Sequence, residues 1–492
     1  MRELKAAGGV VALAAALLLS GCASMGGYDV AANGLPEPED ALRRELAHRP
    51  ADAYGAILEG AVPLPDDDLV RLLFAGTAAR YAGAYHDSGK LLDLASYLAE
   101  ERVTTSVSQQ ALSMVTSDRA LAYTPGAHER LMIHYDAAAA YLDAGDLDAA
   151  AVEARRIEAR LDRMAGEETE IVGQRFFHTL AALIFDAAGY PDAARVAYRR
   201  AAPEDTPASQ DTPASQDTPA SQDTPASQEP EDTMAPQGAA APEGEVVVLV
   251  ENGHVPHRVE QTVVIALPGW QVGRLRNGDA GEKAAAALEA AARVVYHANA
   301  RYGDRGWYYR DRGYQRPLRL APWDDDCRDQ DGCDADPYLL RISWPVLYQP
   351  PPRGAGVRLR AGERMADAVA TLDVAGGARR DFEAERATTL ARTLARAVSK
   401  VALSTAAKEA AAKRDPAAGQ IVGLLTNLGT LLTERADTRC WHLLPGQVRL
   451  VRLRLPAGTH DLELEVDGRT VPLGPVQVAA GRTTFQTHRI WR

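Results

Sequence analysis

The chain has 492 residues, of which 46% are hydrophobic and 25% charged, which is long enough for two or three packed domains and ordinary for a soluble body. Its formal net charge of −13 argues against a nucleic-acid binder, which needs a basic surface.

The first element is a short leader. Arg2 and Lys5 supply positive charge, and Val10 to Leu19 form an apolar run of about ten residues, half of what a spanning helix needs. The run ends at Leu19-Ser20-Gly21-Cys22. This pattern resembles the lipobox of bacterial lipoproteins. The resemblance implies diacylglyceryl transfer to the Cys22 thiol, cleavage before it and acylation of the new amino terminus, so that residues 1–21 are a signal peptide. Ala23 stands where inner-membrane lipoproteins commonly carry Asp, and by that family rule the protein is expected on the outer membrane, facing the periplasm. Several acyl chains hold a protein to a bilayer where one alone is marginal.

Residues 22–36 read as a flexible leash containing Gly26, Gly27, Gly34 and Pro36. From 37 to 202 the pattern is helical and rich in Ala and Leu. Two stretches look alike: Ala140 to Ile157 around Gly145, and Leu183 to Ala201 around Gly189. In each, a helix ends at a glycine able to take φ > 0, a short turn follows, and small Ala residues let the next helix approach closely. This resembles the second half of a tetratricopeptide repeat (TPR), with aromatic-bearing helices (Tyr135, Tyr141; Phe176, Phe177, Phe185) as the first half. A weaker third copy runs from Arg80 through Gly89. The 44-residue spacing from Gly145 to Gly189 departs from the regular 34 of the repeat. The alternative is a plain helical bundle with Ala-rich contacts.

Between 203 and 243 the hexamer Asp-Thr-Pro-Ala-Ser-Gln occurs four times in tandem, starting at Asp205, Asp211, Asp217 and Asp223. With nothing apolar larger than Ala, these hexamers cannot offset the entropy of ordering, and the segment reads as a disordered linker. Residues 244–447 then read as an α+β domain. Val246 to Val250, the turn Asn252-Gly253, and Val263 to Leu267 suggest a β-hairpin; Leu339 to Leu347 suggests a strand. Helices are expected from about Asp381 to Lys413 and from Ala417 to Leu432. The remaining residues, 448–492, alternate as strands at 448–455, 462–466, 476–478 and 483–490 and suggest a small antiparallel β-sandwich module.

The candidate chemistry is sparse. Cys327 and Cys333 share one loop, which makes a local disulfide between them the first choice and leaves Cys440 as a buried thiol. That loop, Asp324 to Asp336, carries clustered carboxylates of the kind that bind Ca²⁺. The EF-hand register fails there, because aligning Gly332 at position six puts Cys327 at position one and Tyr338 at position twelve. A solvated acidic loop is the better reading. His254 and His257 could pair on a metal but lack a third ligand nearby, and an exposed hairpin accounts for them. Ala436 to Trp441 mixes charge with a large aromatic, as a catalytic junction would, yet a structural Arg–Asp contact explains it equally. No His-Glu-x-x-His, Gly-x-Ser-x-Gly or phosphate loop occurs. No catalytic residue, cofactor or metal ligand is therefore assigned.

Taken with the lipobox, the residues Glu129 to Tyr135 leading to Gly145, Arg392 to Lys400, and Ala436 to Pro445 resemble an uncharacterised family of bacterial lipoproteins with TPR-like helices. The resemblance brings no activity with it. The expectation is a multidomain, membrane-anchored, non-enzymatic scaffold that recruits an unidentified protein partner through its helices, in envelope or cell-wall assembly. The alternative is a periplasmic hydrolase or sugar-binding protein with its site in residues 244–447.

Overall fold

A computed structural model of the chain describes residues 37–109, 121–166, 171–202, 242–267, 272, 308–309, 338–350, 356–415, 418–423, 426 and 434–491. The N-terminal region is helical and the C-terminal region rich in β-structure. The expectations for Cys22, the leash, the tandem hexamers, and Cys327 and Cys333 with their acidic loop fall outside these residues.

Among the described residues the first region holds eight helices: α1 (Glu37–His48), α2 (Pro50–Leu58), α3 (Asp68–Tyr81), α4 (Tyr85–Gln109), α5 (Ala127–Asp143), α6 (Leu147–Gly166), α7 (Gln174–Ala187) and α8 (Pro191–Ala201). The last six form three hairpins, α3–α4, α5–α6 and α7–α8, each turning on a glycine with positive φ: Gly83 (79°), Gly145 (74°) and Gly189 (81°). The hydrogen bonds repeat. Each glycine N–H donates to the carbonyl three back, and the next residue donates to the carbonyl five back (Ala84 to Ala79, Asp146 to Tyr141, Tyr190 to Phe185, at 2.8–2.9 Å). In the first hairpin the turn residue is Gly83. Gly89 instead lies inside α4, where a Cβ would come within 2.2 Å of the Tyr141 hydroxyl.

The hairpins stack in order. His134 Nδ1 meets Glu153 Oε2 across α5–α6, and His178 Nδ1 meets Glu158 Oε1 across α6–α7, both at 2.8 Å. Burial differs between the two layers. α3, α5 and α7 are buried along most of their length, whereas α4, α6 and α8 keep one face in solvent.

The strands are β1 (Glu243–Asn252), β2 (His257–Leu267), β3 (Tyr308–Tyr309), β4 (Tyr338–Tyr348), β5 (Val357–Ala361), β6 (Arg364–Leu372), β7 (Gln447–Pro456), β8 (Gly458–Val466), β9 (Arg469–Val478) and β10 (Thr483–Ile490). Seven form one sheet in the order β10-β1-β7-β6-β5-β8-β9, and three form another in the order β2-β4-β3. The four strands expected in 448–490 are thus part of a larger sheet completed by β1, β5 and β6. That sheet curls until its edges approach, the Thr484 hydroxyl of β10 donating to the Gln477 carbonyl of β9 at 3.3 Å. Val246, Val248, Val250, Leu359, Leu453, Leu462 and Leu464 fill the inside of the curl.

The expected hairpin of 246–250 with 263–267 does not form. β1 runs antiparallel to β7 (Val246↔Leu453) and parallel to β10 (Val246↔Thr484), while β2 pairs with β4. The reason lies in the sequence of β1. A continuous Val-Val-Val-Leu-Val run is apolar on both faces, and a lone hairpin would leave one of them wet. In the sheet, Val246, Val248 and Val250 face the inside of the curl, and Val247 and Leu249 face the helices.

Those outward residues join Leu450, Leu372 and the inner helices in one continuous core. At the far end of α5, Asp143 accepts from the Thr487 N–H of β10 at 2.9 Å. A long helix, α9 (Val374–Ala412), follows β6, starting a turn or two earlier than expected because Asp373 caps it by accepting from the Gly376 N–H at 2.9 Å. Of the helix expected at 417–432, residues 418–423 and 426 are described, and these are helical.

Candidate functional site

The segment from Glu434 to Gly446 has little regular structure, yet it is largely buried and bonded at Glu434, Ala436, Arg439, Trp441 and His442. Arg439 pairs with Asp437 at 2.8 Å and with Asp67 at 3.2 Å. Asp67 also caps α3, accepting from the Leu69 N–H at 3.0 Å, and it pairs with Arg102 at 2.7 Å. Burial opposes charge on Asp67, but the Tyr123 N–H and Arg102 outweigh it and hold the carboxyl below its usual range. Next in the segment, the Trp441 N–H donates to Glu129 Oε1 at 3.0 Å and the indole N–H to the Thr77 hydroxyl at 3.1 Å. His442 lies 2.8 Å from Glu39, and its carbonyl accepts from Arg43 at 2.7 Å. The charged and aromatic junction read from the sequence is therefore built on the structural contact of Arg439 with Asp437, with Asp67 as a third member.

Thr77 begins a buried polar chain between helices and sheet. Its hydroxyl donates to Asp136 Oδ2 at 2.8 Å, and Asp136 pairs with Arg80 at 2.7 Å. Arg80 in turn donates to both oxygens of Glu251 on β1, at 2.8 and 3.0 Å, and Glu251 also accepts from Tyr81 (2.9 Å) and Tyr135 (2.8 Å). Arg80, Asp136 and Glu251 have at most 1% of their side-chain surface exposed. Burial and Arg80 pull in opposite directions. On Glu251 the cation prevails and the carboxyl titrates below its usual range; on Asp136 burial prevails and it titrates above.

A small cleft, with room for little more than a water molecule or two, opens beside the Trp441 backbone, lined by α5 (His128, Glu129), the β2 strand (Arg258), α9 (Asp381, Phe382) and Cys440. Asp381 accepts from both the His128 backbone N–H (3.0 Å) and the His128 ring Nδ1 (2.6 Å). A glycine must precede here, because a Cβ on Gly126 would lie 2.1 Å from the Asp381 carboxylate. The other ring nitrogen, Nε2, is covered and has no partner. Burial lowers the tendency of His128 to charge, but Asp381 outweighs it and raises the pKa; Asp381 is correspondingly lowered. Cys440 is half-buried and unpaired with another thiol. Burial pushes its thiol up to about 12, with the Glu129 carboxylate adding to the effect and the Arg258 N–H opposing it. Such a thiol is a poor nucleophile at neutral pH.

The His128–Asp381 pair gives a signed pH dependence. The contribution of a raised histidine is present below its unfolded pKa of about 6.5 and is lost as pH rises through the folded value. That of a lowered aspartate is present above about 3.8 and is lost as pH falls through its folded value. Stability from this pair is therefore greatest between those limits. Urea unfolding of His128→Gln is expected to show a smaller loss of stability from pH 6 to pH 9 than the wild type shows. An unchanged slope would remove His128 from the account.

The sequence-predicted positions fare unevenly. His254 and His257 do not stand on an exposed hairpin: His257 is fully buried and His254 half-buried, because the corner after β1 is pressed between Trp491 and the Trp441 segment. Burial, followed by Arg43 and Arg489, pushes the His254 imidazole down to about 2. Among the described residues no three His, Cys, Asp or Glu side chains cluster as a metal site, and no helix is long and apolar enough to cross a membrane. His128, Asp381 and Glu251 were not singled out from the sequence. His128 immediately precedes the Glu129-to-Tyr135 stretch, and the sequence pattern marks Asp381 only as the start of a helix. Compared with protein-family models, curated proteins and solved structures, the chain matches none.

Proposed function

We propose that the chain is a periplasm-facing lipoprotein, anchored to the outer membrane through acyl chains on Cys22, that serves as a non-enzymatic protein-interaction scaffold in envelope or cell-wall assembly. The three hairpins with one shared glycine turn support a TPR-like reading of the helical region. The observation that carries the proposal is the division of labour between helix layers. The inner helices α3, α5 and α7 are occupied by the chain's own sheet. The outer helices turn large apolar side chains to solvent: Tyr97 is 71% and Leu94 53% exposed, one turn apart on α4, and Val152 and Val196 stand out on α6 and α8. Partner contact is therefore assigned to the outer layer, not to an inner groove.

The competing reading, a hydrolase or sugar-binding protein, would draw on the His128–Asp381 pair and the Cys440 thiol at one cleft. The scaffold reading is favoured because that thiol is held protonated and the free imidazole nitrogen is covered.

Two measurements test it. Cys22→Ser is expected to move the protein from the membrane pellet to the soluble envelope fraction and to abolish incorporation of labelled palmitate. Cross-linking of whole envelopes should recover the same companion proteins repeatedly with the wild type, and Leu94→Glu with Tyr97→Glu should deplete them without unfolding the chain. Firm attachment of the serine variant would sink the anchor; the absence of any reproducible companion would sink the scaffold.

A further inference from the structure

We propose that Arg489 and Arg43 form a receptor for a small oxyanion, a carboxylate or a phosphate, beside the Trp491 indole and the His254 ring. Arg489 comes from β10, and its guanidinium stacks over Trp491 with 4.7 Å to the ring centroid. Its Nε, Nη1 and Nη2 are all enclosed, and none has a hydrogen-bond partner. A guanidinium carries five N–H donors, and buried donors in folded proteins are almost always met by something. His254, on the corner after β1, faces the same indole with ring centroids 6.2 Å apart; held neutral and hydrogen-bonded to the Trp491 backbone, it walls the site without supplying a donor to it. Arg43 of α1 contributes an unmet Nε while its Nη2 is fixed on the His442 carbonyl at 2.7 Å.

The two guanidinium groups converge from separate elements although their charges oppose one another. Burial and then Arg489 bring Arg43 down to about 10. The carboxylates nearby are already engaged. Glu251, the register neighbour of Arg489, accepts from Arg80, Tyr81 and Tyr135. Glu39 is paired with His442, and Asp40 with Arg44. A bound oxyanion would meet the planar fork of Arg489 through two parallel hydrogen bonds, which is the geometry shared by carboxylates and phosphates. Arg489, His254 and Trp491 each keep part of their surface open to solvent, which gives a small ion a way in.

The test is titration of the full chain with sodium phosphate and, separately, sodium acetate, each against sodium chloride at equal ionic strength, read by calorimetry and by the thermal midpoint. Saturable binding with a rise in midpoint is expected for at least one of the two, and the arm that saturates identifies the group. Arg489→Gln should weaken that binding by on the order of tenfold or more. Arg489→Lys retains the charge without the fork and should also bind more weakly, which keeps the test open if the glutamine variant fails to fold. Arg358→Gln, on the exposed side of β5, should bind as the wild type does. No saturation beyond chloride with either ion, or unchanged binding in the Arg489 variants, overturns the proposal.

Discussion

Arg80→Leu is expected to cost about 3–5 kcal/mol of stability, because it removes the cation that two buried carboxylates share. Asp136 on α5 and Glu251 on β1 would then face each other with no more than 1% of either side chain exposed and their principal countercharge gone. The loss should depend on pH in a definite direction. Without Arg80 the already raised Asp136 moves further up and Glu251 loses the larger of its two cationic partners, so the native state holds protons more tightly than in the wild type and the deficit grows as pH rises. Urea unfolding at pH 5 and pH 8 should therefore show the larger deficit at pH 8. Equal deficits would mean that Arg80 acts through packing alone. Replacing Arg80, Asp136 and Glu251 together by apolar residues of similar volume should recover much of the loss, since an apolar core avoids desolvating three charges.

Trp441→Ala is the second large effect, at about 3–5 kcal/mol. Trp441 is 1% exposed and lies in the same core as the inner helices and the sheet. Its indole N–H donates to Thr77, which donates to Asp136, so the aromatic and the ionic chain form one connected unit. Trp441→Phe keeps most of the ring volume and should cost far less, roughly the 1 kcal/mol of the lost hydrogen bond plus a small packing defect. Because Thr77 and Asp136 lie between them, Trp441→Ala and Arg80→Leu should not add, and a double-mutant cycle in urea should show a coupling of about 0.5–3 kcal/mol. Strict additivity would mean that the two sites stabilise the junction independently.

The sequence made the helical region legible where local chemistry decides. Gly145 and Gly189 could be read as turns because a helix ending on positive φ strongly selects glycine. The weaker copy contains two glycines, Gly83 and Gly89, and only the packed structure shows that the chain turns on Gly83 while Gly89 gives room to Tyr141. The strands of the last 45 residues were legible from alternation, but their partners were not. Pairing of β1 with β10 and β7 joins positions about two hundred residues apart, and no local pattern encodes that. The same holds for the polar junction. Arg80, Asp136 and Glu251 look like ordinary surface charges in sequence, and only the docking of sheet on helices makes them a buried cluster. Their long separation is also why the candidate cleft could not be seen: His128 and Asp381 are brought together by α9 lying across the start of α5.

The parallel alignment of β10 with β1 has a consequence for the order of events during biogenesis. The strand that begins at Glu243 cannot be flanked on both sides until the chain has emerged as far as Ile490. Until then the β10 side of β1 stays open, so the core that Val247 and Leu249 share with α3, α5 and α7 keeps an unpaired strand edge along it until the last strand has been made.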